Sequence, residues 1–207
     1  MSDSPWPIIH AQRTALADDL AGLTDQQWQT PSLCSGWTVH DVVGHMVATA
    51  RMTPPRFFGH LVSAGFNFDK MTAKDVAAET AGGPAATLAA FRELTPRTTA
   101  PPGPIDAMLG EVLIHPADIR RPLGIAHEYP TDAVVRVLDF FKNSNLIIGA
   151  KKRIDGLSLR ATDAGWSHGA GPEVSGPAHS LLLAMTGRKE AIADLTGDGV
   201  ETLRARS

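Results

Sequence analysis

Apolar residues recur along the first two thirds of the chain at the three- and four-residue spacing of helices. Ile8, Ala11, Ala15, Leu16, Leu20 and Leu23 form one stripe, which predicts a helix over residues 8–23. Residues 24–28 read as a turn or a short helical piece, and residues 31–36 as a loop. Thr38 followed by Asp41 makes a pattern like a capping box, so a second helix starts there and runs to about Met52. Val39, Val42, Val43, Met46, Val47 and Ala50 supply its core side. Pro54-Pro55 breaks or kinks it, and residues 56–68 continue with Phe57, Phe58, Leu61, Val62 and Phe66 apolar. Residues 69–83 read as irregular or weakly helical, 84–94 as helical, and 95–104 as a proline-rich connector. A further helix starts near Ile105. Pro116 lies inside it and predicts a kink, a bulge or a fresh helical turn. Gly124 is placed to cap its end. A long helix from Thr131 or Asp132 to about Ile148 follows, with Val134, Val135, Val137, Leu138, Phe140 and Phe141 apolar. Four or five helices with mostly short connections predict an antiparallel bundle.

After Gly149 the period changes. Leu157-Ser158-Leu159-Arg160-Ala161-Thr162 alternates as a strand does, Ala164-Gly165 is a turn, and residues 166–169 are set to pair back as a hairpin. Residues 169–172 read as a loop, 178–185 as an apolar helix, 189–195 as a short helix and 197–199 as a turn. The expected division is therefore 1–149, a helical bundle, and 150–207, a small α+β domain. The second part is too small to be secure alone, so it is expected to pack against helices.

Composition narrows the function. Hydrophobic residues are 43% and charged residues 20%, the balance of a soluble globular protein. A formal charge of −3 gives no electrostatic case for nucleic acid or an acidic membrane surface. No apolar stretch approaches the ~20 residues needed to span a bilayer. Residues 1–7 lack the basic-then-apolar pattern of a signal peptide. The single cysteine, Cys34, excludes an internal disulfide and fits the cytoplasm. The sequence sets no oligomeric state.

Candidate chemistry centres on Gly110-Glu111-Val112-Leu113-Ile114-His115-Pro116-Ala117-Asp118-Ile119-Arg120-Arg121. Glu111 and His115 are four apart, about 40° round a helix at roughly 100° per residue, and Asp118 shares their face. A carboxylate and an imidazole among apolar neighbours invite a divalent metal. Two ligands hold a metal poorly, and His45 is the candidate third. The plainer readings stay open: a hydrogen bond along the helix face for Glu111 and His115, and a core-edge histidine bonded to Asp41 for His45. Pro116 leaves the direction of His115 open. Asp118 has two readings, orienting a ligand imidazole or pairing with Arg121. Asp41 reads first as a cap, Cys34 as packing, and His40 as solvated. Arg120, Arg121 and Arg188 are candidates to bind a carboxylate. His168 and His179 are expected outside the metal site.

Two stretches carry a resemblance to a known family. Ser32-Leu33-Cys34-Ser35-Gly36-Trp37-Thr38-Val39-His40-Asp41-Val42-Val43-Gly44-His45-Met46 resembles the N-terminal signature of the mycothiol-dependent maleylpyruvate isomerase family. Glu111-x-x-x-His115-x-x-Asp118-Ile119-Arg120-Arg121-Pro122-Leu123-Gly124 resembles its second signature. The resemblance implies a DinB-like four-helix bundle binding a divalent metal, usually zinc, through His45, Glu111 and His115. The tail, from Val174-Ser175-Gly176-Pro177-Ala178 through Leu181-Leu182-Leu183 to Gly187-Arg188 and Gly197-Asp198-Gly199, is similar to the family's small sterol-carrier-like C-terminal domain.

Two imidazoles and one carboxylate leave a four-coordinate zinc with an open position and a net charge of about +1. A small thiol, mycothiol or one like it, would bind there as thiolate, the nucleophilic form. Addition to a small electrophilic substrate would then give S-transfer or cis–trans isomerisation. Water in the same position would give hydrolysis. Three functions follow: a thiol- and metal-dependent transferase or isomerase, a metal-dependent hydrolase, or a non-catalytic metal-binding or stress protein. Arg188 and Asp118 are the candidate catalytic residues, and Arg188 the candidate for holding the thiol cofactor.

Overall fold

The computed structural model describes residues 4–145 and 148–207. Ahead of residue 128 it places α1 (Trp6–Leu20), α2 (Asp25–Trp28), α3 (Val39–Arg51), α4 (Pro54–Ser63), α5 (Phe68–Thr80), α6 (Gly83–Leu94) and α7 (Ile105–Leu123). The chain divides between His127 and Glu128 into two compact units.

In the first unit α3 packs on α5, α6 and α7, and α1 packs on α6 and α7. The start of α3 is fixed as its sequence predicts. The Asp41 amide donates to Thr38 Oγ1 at 3.2 Å, and the Thr38 amide donates to the Asp41 carboxylate at 2.8 Å. Two end-of-helix donors are thereby satisfied at once. Ile9 and Leu16 of α1, Val39, Val42, Val43 and Val47 of α3, Phe91 of α6, and Leu109, Val112, Leu113 and Ile119 of α7 are fully buried. Each such side chain contributes about 1.5–3 kcal/mol on burial. Gly44 lets α3 and α5 approach closely, because a Cβ there would lie 2.6 Å from the Thr80 methyl.

Two local expectations change. Residues 69–83 do not read as a strong helix, yet α5 is regular over most of them. Asn67 caps it by accepting from the Lys70 amide at 2.8 Å, and only Met71 and Val76 are buried. So thin an apolar stripe leaves little periodicity to read. Pro116 does not interrupt α7, which runs through both Pro116 and Pro122. Proline inside a helix costs about 3 kcal/mol. Burial of Val112, Leu113, Ala117 and Ile119 on both sides of it offsets that. Gly124 ends α7 in the left-handed region at φ 68°, its amide donating to the Arg120 and Arg121 carbonyls.

The second unit contains α8 (Thr131–Phe141), α9 (Ala150–Ile154), β1 (Ser158–Ala161), β2 (Ser167–Gly169), β3 (Glu173–Gly176), α10 (Ala178–Met185), a 3-10 turn (Lys189–Asp194) and α11 (Val200–Ala205). The sheet order is β2-β1-β3. β1 and β2 form the expected antiparallel hairpin, with Leu159 opposite His168. β3 lies parallel to β1, with Leu159 opposite Val174, where the sequence pattern predicts a loop over residues 169–172 and no third strand. The helix expected to reach Ile148 ends at Phe141, and residues 146 and 147 lie outside those described. So do residues 1–3, on which part of the signal-peptide reading falls.

The unit boundary falls about twenty residues before the expected one at 149/150. The reason is α8, which packs on α10. Val134, Val137, Leu138 and Phe141 of α8 are buried, as are Leu181, Leu182 and Leu183 of α10. A sheet of three short strands has too little apolar surface to form a core, and this helix supplies the missing layer. No described helix is long and apolar enough to cross a membrane.

Candidate metal centre

Where α3 packs on α7, each contributes to one cluster. His45 Nε2 lies 3.7 Å from Glu111 Oε1, and the His45 and His115 rings are 4.9 Å apart at 75°. One donor atom from each of His45, Glu111 and His115 falls within 4.8 Å of the others. Two ligands each ~2.0–2.1 Å from one zinc ion sit roughly 3.3 Å apart in a tetrahedron, so the His45–Glu111 spacing is close to a ligand pair.

Glu111 Oε1 is the observation that asks for a cation. It is buried and, among the described residues, has no hydrogen-bond partner. A buried carboxylate oxygen without a donor is costly, and a coordinated ion is one way to satisfy it. The donor set is chemically suited: two imidazoles and one carboxylate, the mixture zinc takes.

His115 is held from behind. Its Nδ1 lies 2.9 Å from Asp118 Oδ2, and Asp118 is fully buried. Donation from Nδ1 to this carboxylate leaves Nε2 as the nitrogen with a lone pair to offer. Burial pushes the His115 imidazole down. The hydrogen bonds to Asp118 and Cys34 and the charges of Glu111 and Asp118 override it, raising the pKa to about 10. Without a metal, His115 is therefore an imidazolium at neutral pH and partly compensates two carboxylates. A divalent ion would take over that compensation.

The loop before α3 closes one side of the cluster. The Leu33 amide donates to the Asp118 carbonyl at 3.2 Å, and Cys34 Sγ donates to Asp118 Oδ2 at 3.0 Å. Cys34 Sγ is also 3.7 Å from His115 Nδ1. The Trp37 ring lies 5.2 Å from that of His45. Sequence reasoning favours packing for Cys34 and does not single out Trp37. Their one signal is their place in the same stretch as His45.

The other sequence candidates make the following contacts. Asp41 caps α3. His40, expected in solvent, is buried, with Nε2 2.9 Å from Thr87 Oγ1, because α6 covers that face of α3. Burial pushes its imidazole down, against the pull of Asp41. Arg120 is buried and donates to Asp19 at 2.7 Å, which gives it a structural ion pair. Arg188 belongs to the second unit and donates to the Thr186 carbonyl at 3.0 Å. His179 stacks on Tyr129 with ring centroids 4.0 Å apart, and His168 lies beside Trp166.

Residues 9–106 match the family model described as the mycothiol maleylpyruvate isomerase N-terminal domain. No curated protein sequence matches the chain significantly. Among solved structures, the crystal structure of the mycothiol-dependent maleylpyruvate isomerase superposes with a TM-score of 0.64 at 14% identity, covering 93% of this chain and 91% of that one. A histidine-to-alanine mutant of the mycothiol-dependent maleylpyruvate isomerase gives 0.63 at the same identity and coverage. Residues 9–106 are thus similar to the mycothiol maleylpyruvate isomerase N-terminal domain, and over nearly its whole length the chain has the fold of those isomerases.

Proposed function

We propose that this protein is an enzyme that uses a small thiol, mycothiol foremost, with a divalent metal held by His45, Glu111 and His115. Its reaction is S-transfer to, or cis–trans isomerisation of, a small electrophile. The observation that carries the reading is the buried Glu111 Oε1, without a hydrogen-bond donor among the described residues and beside two imidazoles. Zinc is an ion that takes two imidazoles and a carboxylate. A bound zinc would supply a positive centre that lowers the pKa of a thiol and holds it as thiolate.

The protein's own groups do the rest. Asp118 holds the His115 ring in one orientation through Nδ1. Cys34, hydrogen-bonded to the same carboxylate, keeps Asp118 in place. Trp37 lies against one side of the His45 ring. Support for mycothiol as the thiol comes from the family model that residues 9–106 match. Arg188 is the candidate to bind a carboxylate of the cofactor. A cytoplasmic location fits a chemistry that needs a reduced thiol.

Stopped-flow with a test electrophile, with and without mycothiol, is the test. The zinc-loaded wild type should show a thiol-dependent rate, and Glu111→Ala should fall to that of metal-free protein. Equal thiol-dependent rates in the two would mean that the metal does not activate the thiol. Turnover of a hydrolysable substrate without thiol would support the hydrolase reading instead.

A further inference from the structure

Beside His45 the first unit opens into a recess of about 370 Å³, counting space open to solvent. Its walls come from α3, α4, α5 and the connector before α7. Met52, Phe57, Phe68, Met71 and Pro101 are apolar, Ala48 is small, and Thr49 and Thr72 bring hydroxyl groups. Besides His45, the one ionisable residue in the lining among the described residues is Asp75, a carboxylate, whose Oδ1 lies 2.7 Å from His60 Nδ1. No lysine or arginine lines it among the described residues. Arg51 and Arg56 open into the neighbouring recess, where Arg51 is bound to Glu79 at 2.6 Å.

That lining has a definite chemistry. A substrate carboxylate entering it would leave water for an apolar wall that offers no lysine or arginine, beside a metal site whose charge of about +1 is cancelled by the bound thiolate, and would face Asp75. Desolvating an unpaired carboxylate is costly. A neutral carbonyl compound loses little, buries apolar area against Met52, Phe57, Phe68 and Met71, and finds hydroxyl donors in Thr49 and Thr72. We propose that this recess is the electrophile subsite, and that it selects an uncharged, mainly apolar electrophile over a mono- or dicarboxylate. The proposal rests on the thiol- and metal-dependent reading and adds the substrate class to it.

A matched pair of probes tests it without needing turnover. N-Ethylsuccinimide and N-carboxymethylsuccinimide share an unreactive ring and differ by one carboxylate. Binding is read from methyl shifts of methionine-labelled protein, in which Met52 and Met71 report on the recess and the buried Met46 and Met108 serve as controls. The neutral probe is expected to shift Met52 and Met71, and the anionic probe to bind at least about tenfold more weakly. Phe68 is partly exposed at the start of α5, so Phe68→Arg is expected to fold normally and to narrow that ratio. Equal or tighter binding of the anionic probe to the wild type overturns the proposal, as does binding that leaves both methionines unmoved. The corresponding maleimides, N-ethyl and N-carboxymethyl, separate this from the reaction itself. A neutral preference in binding, with mycothiol addition to neither maleimide accelerated over the rate without protein, would overturn the thiol chemistry and leave the recess assignment standing.

Discussion

Asp118→Asn is expected to weaken metal binding by about 10- to 100-fold while leaving the helices intact. Asp118 acts on the ion through His115. Its carboxylate accepts from Nδ1 at 2.9 Å, fixes the ring, and makes Nε2 more basic. Asparagine has nearly the same volume and keeps one oxygen acceptor, so the Cys34 contact and the Leu33–Asp118 backbone bond can persist. The lost negative charge is what the variant isolates. Competition with a chromophoric chelator measures the affinity, and far-ultraviolet circular dichroism checks the fold. Affinity equal to that of the wild type would remove Asp118 from the ligand's support.

Metal affinity should rise steeply with pH, by about tenfold per unit between pH 6.5 and 8. The cause is His115, whose pKa in the metal-free protein is about 10. Across this range its proton must leave before the ring can bind an ion, so binding should release about one proton. Calorimetry in two buffers of different ionisation enthalpy counts that proton. The sign for stability runs the other way. A pKa raised from an ordinary value near ~6.5 contributes stability to the metal-free protein that is fully present below ~6.5 and is lost as pH rises toward about 10. Metal-free protein should therefore become less stable, and bind metal more tightly, over the same interval. Affinity flat with pH would mean that His115 is not a ligand.

Helix starts and broad apolar faces are legible in the amino-acid sequence. Thr38 and Asp41 announce α3, Gly124 ends α7, and the apolar run at Ala178–Met185 is a helix. These rest on local chemistry, which a single sequence displays. The site is legible in part. Glu111 and His115 lie on one helix, so their spacing carries their relation. Nothing in spacing alone ties them to His45, which lies on a different helix, and the family resemblance supplies that link.

Other features depend on which surface packs where. His40 is buried because α6 lies over it, and nothing near residue 40 encodes that. The role of Cys34 depends on a loop folding back onto α7 across more than eighty residues. β3 is four residues of mixed character made a strand by β1 beside it. The end of the first unit at His127 follows from α8 choosing α10 as its packing partner, a choice its own amphipathic pattern leaves open.

The central claim is that His45, on one helix, and Glu111 and His115, on another, together hold one divalent ion. Elemental analysis of purified wild type, His45→Ala and Glu111→Ala, after the same exposure to zinc and the same desalting, tests it most directly. The expected result is about one metal per chain in the wild type and near-complete loss in both variants, because two remaining ligands hold zinc poorly. Metal content in His45→Ala equal to that of the wild type would contradict it.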